Sequence, residues 1–488
     1  MNKRNLYITA IGVALIFSSS CKRELLNPTL QTSVAAENAF DTKFRVEAQA
    51  VSLYGSLKSG LFYGGRYLVY GNIRGEDFLN ETGNLVTASD VWAMNVANSA
   101  TAVKTLWSQG FLTINRCNVF IEGMAAQGAA VVGDEAATKY VAEARLVRAL
   151  SFYSLLQVYS RPYADGNGDK PGLPLRLTGV TGPGHSDMAR STVAEVYAQI
   201  LDDLNFAETN LPATNASASL NTTRAHKNTA ISLKTRVYLS MGKYDEVIAE
   251  ANKLVPATAP FKAKVNVPNE MAADITTVFK APYTTNESVF SLPMSSTASP
   301  LDYPGTQNSL ASYFYFTNAT PGTTEFSLNP AGVVANTGWK ATDKRRALLF
   351  TATASGKQFL AKFTTPSPYT DFVPVIRWPE VLLNLAEARV RSTNTVDAQA
   401  LLLLNAVRQR SDATTVLAPA TVADFIEAIL TERRIEFLGE GLRAPDLTRL
   451  LLTLPAKGGA PSKGPTEAGY IWPISSDELS LNKLMKDN

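Results

Sequence analysis

Apolar residues recur at three- and four-residue spacing along two stretches of this 488-residue chain, and the stretch between them lacks the pattern. That contrast confines the fold to helices carrying something less regular. Helical spacing marks segments near 34–58, 90–127, 134–159, 191–210 and 225–254, and again near 379–392, 396–410 and 421–440. Residues 255–375 are instead rich in Pro, Thr, Ser, Gly and Asn with scattered aromatics, which predicts long loops and short strands. A structureless connection of that length is unusual in a compact domain unless it is functional. The middle is therefore expected to be an ordered, loop-rich layer resting on a helical frame.

Two helical segments have repeat character. Ala230 to Leu254 reads as a helix ended by Gly242, a tight turn, and a second helix in which Tyr244 plugs the seam while Val247 and Ala251 allow close packing. It resembles the turn and second helix of a tetratricopeptide repeat, with Lys234 standing where leucine is expected. A looser partner spans Val381 to Arg408, through Leu382, Leu385, Ala386 and Ala388 and then Ala398, Leu402, Asn405 and Ala406. The fold class expected is mainly α, a tetratricopeptide-like scaffold with a large loop-rich insertion.

The first 21 residues read as an export leader: Lys3 and Arg4, an uncharged run from Leu6 to Phe17, then Ser18-Ser19-Ser20-Cys21. The run is too short to span a bilayer, which takes about 20 apolar residues, and fits a signal peptide over 1–20. Small residues before Cys21 resemble a bacterial lipobox, with Ser18 in place of the usual leucine. That implies a lipidated Cys21 as the mature N-terminus, the one membrane-binding element on offer. Soluble secretion is the competing reading. Residues 21–488 are then a single domain, with scaffold over about 34–254 and 376–488 and a ligand-facing region over about 255–375. At 45% hydrophobic content a large core can be buried. Losing the leader lowers the formal charge from +3 to +1, so nothing points to nucleic acid. Cys117 is the sole other cysteine, and His185 and His226 stand far apart without paired cysteines. No disulfide framework, zinc site, other metal or cofactor is suggested.

Four blocks carry a family resemblance. The first is Glu143-Ala-Arg145-Leu-Val-Arg148-Ala-Leu-Ser-Phe152-Tyr153-Ser-Leu-Leu-Gln-Val-Tyr159, then Arg161-Pro162-Tyr163 and Gly172-Leu-Pro174-Leu175. The second is Ile376-Arg377-Trp378-Pro379-Glu380-Val381-Leu382-Leu383 with Ala386-Glu387-Ala388. The third is Glu432-Arg433-Arg434-Ile435-Glu436-Phe437, Glu440-Gly441-Leu442-Arg443 and Asp446-Leu447-Thr448-Arg449. The fourth is Trp472-Pro473-Ile474 with Glu478 and Asn482. In this order they resemble the SusD/RagB family of nutrient-binding lipoproteins, with departures at Pro445, Leu450 and Ser475. The resemblance implies a non-catalytic binder on the outer face of an outer membrane. Such a protein lids a SusC-like TonB-dependent transporter and captures oligosaccharides, or in some members peptides. Arg145, Arg148, Glu432, Arg433 and Glu436 are expected to be scaffold.

A glycan site wants exposed aromatic planes beside fixed polar groups. Two regions offer them: Arg74-Gly-Glu76-Asp77 with Trp92 and Asn95, and the middle layer with Tyr303, Tyr313, Tyr315 and Trp339. Starch-binding members of the family use an aromatic arc from these regions, so the resemblance implies ligand contacts at Arg74, Asp77, Trp92, Asn95, Tyr315 and Trp339. A place in the core is the competing reading for each aromatic. Asp165-Gly-Asn167-Gly-Asp169 has alternating oxygen ligands, but Lys170 and Arg176 break the calcium-loop pattern, leaving a polar loop. A glycosidase would need two carboxylates across a cleft, and no local motif commits a pair. A protein-docking scaffold is the third alternative.

Overall fold

The computed structural model describes residues 38–182, 184, 187–297, 302–315 and 324–488. The leader, Cys21 and His185 lie outside them. Among the described residues seven helices of eight or more residues precede the middle: α1 (Lys43–Leu57), α2 (Arg66–Ile73), α3 (Thr101–Gly123), α4 (Asp134–Tyr159), α5 (Val193–Asn210), α6 (Lys227–Ser240) and α7 (Tyr244–Leu254). Following it are α8 (Trp378–Thr393), α9 (Ala398–Ser411), α10 (Val422–Glu436) and the shorter α11 (Arg443–Thr448) and α12 (Ser476–Leu481). Shorter helical turns such as Ser89–Trp92 sit in the connections. Local chemistry sets the helix ends. At α5, Thr192 Oγ1 accepts from the Glu195 N–H at 3.2 Å while Glu195 Oε2 accepts from the Thr192 N–H at 2.7 Å, a reciprocal cap. Pro379 occupies the first turn of α8, where its missing N–H costs nothing. Among the described residues no helix is long and apolar enough to cross a membrane.

Neighbouring helices stack in sequence, α3 on α4, α4 on α5, α5 on α6, α6 on α7, then α7 on α8 and α8 on α9 and α10. Gly242, at φ +67°, ends α6 and reverses the chain into α7. Leu239, Val247 and Ala388 are buried together with Tyr244 packed on them. The pair α6–α7 thus sits directly on the pair α8–α9, and the mainly helical, tetratricopeptide-like architecture holds. Lys234, which replaces the expected leucine, is 2% exposed. Its ammonium donates to Glu250 at 2.8 Å, to Asn205 at 3.0 Å and to Glu208. A polar tie between α5, α6 and α7 takes the place of an apolar contact.

Six short strands pair two by two: β1 (Phe78–Asn80) with β3 (Phe326–Leu328), β2 (Ser288–Leu292) with β6 (Val373–Arg377), and β4 (Leu349–Thr351) with β5 (Gln358–Leu360), all antiparallel. The first pairing ties residues following α2 to the middle layer, and the second ties the middle to the entry of α8.

Buried charge joins these parts. Arg145 and Arg148 of α4 both reach Asp203 of α5 at 2.7 Å. A larger network sets Arg345, Lys362, Arg377, Arg408 and Arg410 against Glu287, Asp343, Glu432, Glu436 and Glu440, with no side chain more than 6% exposed. Five cations meet five carboxylates, so no net charge is left in the low-dielectric interior, the condition under which buried ions are tolerated. Arg433 pairs with Asp446 at 2.8 Å. The family-signature charges are therefore structural. In the polar loop, Asp165 is tied to Arg161 at 2.5 Å. Among the described residues no group of three or more His, Cys, Asp or Glu side chains is placed to hold a metal ion.

Candidate functional site

A cavity of about 580 Å³ opens where the β1–β3 pair, the β4–β5 hairpin and the turn at Gly458-Gly459 meet. Leu79 and Ser327 lie opposite each other in the β1–β3 register, and both line it. Thr351, Ser355, Gly356, Lys357 and Gln358 enter from the hairpin, and Pro330, Leu328 and Trp92 complete the wall. Trp92 is half-buried and fixed: its Nε1 donates to the Phe78 carbonyl at 2.8 Å. A Cβ on residue 458 would stand 3.3 Å from the indole Cζ2, and φ there is +50°, so glycine lets the turn close against the ring edge.

The polar groups of the cavity come from three segments. Asn80 Oδ1 accepts from the Gly83 N–H at 2.6 Å, while its Nδ2 is buried without a partner among the described residues. Glu81 joins Lys357 across the mouth and accepts from Ser327 Oγ. Behind the Trp92 wall lies Lys457, 3% exposed, its Nζ 5.9 Å from the indole centroid and without a hydrogen-bond partner. Burial, reinforced by the charge of Arg74, pushes the Lys457 ammonium down to about 7 against the smaller opposing pull of Glu76 and Asp77.

Of the six residues expected to touch ligand, only Trp92 lines this cavity. Arg74 is buried and gives its Nη2 to the Tyr470 carbonyl at 2.5 Å, and burial lowers it to about 10. Asp77 is buried too: it takes Arg434 through Nε at 2.8 Å and the Val333 N–H at 2.7 Å. Trp339 is 2% exposed, with the Arg346 guanidinium 4.0 Å from its ring centroid. These three expectations are corrected, since a side chain committed to the interior has no face left for a ligand. Asn95 is exposed but away from the lining, and Tyr315 packs its ring 6.3 Å from that of Phe350 on β4. Tyr313, the neighbouring alternative, is fully buried. Asn80, Ser327, Lys357, Gln358 and Gly458 went unread. Ser355-Gly356 between alternating runs, and Gly458-Gly459, are turn signals that could have flagged two of the walls.

With this geometry in place the chain can be set beside known proteins. Residues 39–239 match the family model described as starch-binding associating with outer membrane, and residues 357–488 match that of the SusD family. A SusD superfamily protein of Bacteroides fragilis is 33% identical, the match covering 92% of this chain and 100% of that one at a TM-score of 0.80. The chain belongs to the SusD superfamily. A SusD superfamily protein of Bacteroides thetaiotaomicron, 22% identical over 92% of this chain and 99% of its own, superimposes at 0.79. A laminarin-binding SusD-like protein, 19% identical over 92% and 99%, does so at 0.70. Both share the SusD fold. None of the curated proteins matches the chain. The four signature blocks are the α4 region, the β6–α8 junction, the end of α10 with α11, and the segment around Trp472, which packs on Tyr70 and Tyr159.

Proposed function

We propose that this SusD-family protein captures oligosaccharides without transforming them and passes them to a SusC-like TonB-dependent transporter, held at the outer membrane through a lipid on Cys21 and facing the cell surface. The observation that carries the reading is the half-open Trp92 indole set in a 580 Å³ cavity among amides and hydroxyls. That combination suits a sugar, which presents apolar C–H faces edged by hydroxyls. The laminarin-binding relative supports glycan as ligand class, and the outer-membrane association named for the matching family model supports the location.

Capture without chemistry is supported by the lining. Glu81 is the one carboxylate on the described cavity wall, and it is joined to Lys357. Glycosidic cleavage uses two carboxyl groups about 5–10 Å apart. Calorimetry of the purified protein against a panel of oligosaccharides tests the proposal, with binding of at least one expected and no release of reducing sugar. Binding of peptides and of no sugar would move the ligand class to peptide.

A further inference from the structure

Charge balance differs sharply between two ionic clusters among the described residues. The network around Glu436 pairs five cations with five carboxylates. The cluster behind the Trp92 wall does not balance. Arg434 and Arg443 reach Asp77 and Glu76 at 2.5 Å, whereas Arg74 has only a carbonyl partner and Lys457 has none. Among the described residues neither Arg74 nor Lys457 has a carboxylate within ion-pair distance. Four basic groups therefore share two carboxylates, three of them arginines that stay charged and the fourth a lysine about half charged near neutrality. The low position of Lys457 has the same origin, burial next to another cation. At the mouth, Glu81 and Lys357 cancel each other and leave the interior excess uncompensated.

We propose that the ligand this cavity selects is an acidic glycan, one bearing carboxylate or sulfate groups, whose charge is drawn to the excess of positive charge behind Trp92; this rests on the glycan reading above. Lys457 sits directly before Gly458 in the turn that forms the wall, its Nζ 5.9 Å from the centroid of the indole that lines the cavity. Low-dielectric walls focus such a field into a cleft. A unit charge about 10 Å away, screened as at a protein surface, shifts affinity roughly tenfold.

Calorimetry with tetragalacturonate, a sulfated tetrasaccharide and neutral laminaritetraose separates the cases. At least one acidic probe should bind about tenfold tighter than the neutral one, with the advantage shrinking as added salt shortens the screening length. Lys457→Met keeps most of the unbranched stem and removes a buried amine that has no partner, so the variant should melt no lower than the parent. In it, the ratio of acidic to neutral affinity should fall several-fold. Neutral binding as tight as acidic, or an unchanged ratio in Lys457→Met, overturns the inference and leaves glycan capture standing. Failure of all three sugars to bind overturns glycan capture and this inference with it.

Discussion

Replacing Trp92 by Ala removes an indole that donates to the Phe78 carbonyl, packs in part against the core and is partly open to the cavity. Sugar affinity should drop by about 1–3 kcal/mol, the scale of a well-used aromatic contact, with a smaller change in melting temperature. Trp339→Ala should do the reverse. Its ring is enclosed beneath Arg346, and emptying such a site costs about 3–5 kcal/mol of folding stability. Calorimetric affinity and melting temperature measured on both variants check the pair. Trp92 stands between Ser89-Asp90-Val91 and Ala93-Met94-Asn95 and Trp339 after Asn336-Thr337-Gly338, and neither context says which ring is enclosed. What differs is the packing: Trp92 keeps one side on the cavity beside the distant Gly458, while Trp339 is enclosed beneath Arg346. The same holds for Arg74 and Asp77, whose partners Tyr470 and Arg434 lie hundreds of residues on. Helix-end residues were readable for the opposite reason: Pro379 and Gly242 act through their own backbone.

At the level of elements, the five-by-five network welds α9, α10, β6 and the turn around Arg345 into one block. Glu436→Gln removes a carboxylate shared by Arg345, Arg377 and Arg410 and leaves those cations underpaired. Breaking a buried pair from one side costs about 3–5 kcal/mol, which urea unfolding should record. Acid should act through two carboxylates of this network and two paired with Arg433 and Arg449 beside it. Burial works to raise Glu387, Glu436, Glu440 and Asp446, but the arginines and lysine around them prevail and hold all four below the usual carboxylate range. A depressed folded-state value gives stability that is complete above the unfolded pKa of about 4 and is lost as pH falls through it toward the folded value. Glu143 is raised, chiefly by burial, and pulls weakly the other way. Melting temperature should hold near neutrality and decline steeply below about pH 4.5. Helical elements were legible because periodicity is a local property. The paired strands were not, since β1 and β3 find each other across more than two hundred residues, and the cavity exists only where they do.

For the whole molecule, attachment is the testable property. Cys21→Ala should move the protein from the membrane fraction to the soluble one, because a lipidated N-terminus is the only anchor proposed, and phase partitioning of cell extracts reads this directly. Each of the four blocks through which family membership was visible builds a contact between elements of this chain: α4 on α5 through Asp203, β6 into the ionic network, α10 against α11, and Trp472 onto Tyr70.

The seam formed by Leu239, Val247 and Ala388 has a consequence in time. Its two sides are separated by residues 255–377, so α7 is synthesised well before α8. During that interval the first hairpin has an apolar flank with nothing to cover it, and closing so long a loop carries an entropic cost that short helical repeats avoid. Native docking then competes with the sticking together of half-made chains, a contest that grows with concentration. A nascent chain halted before residue 378 would be stranded on the losing side of it.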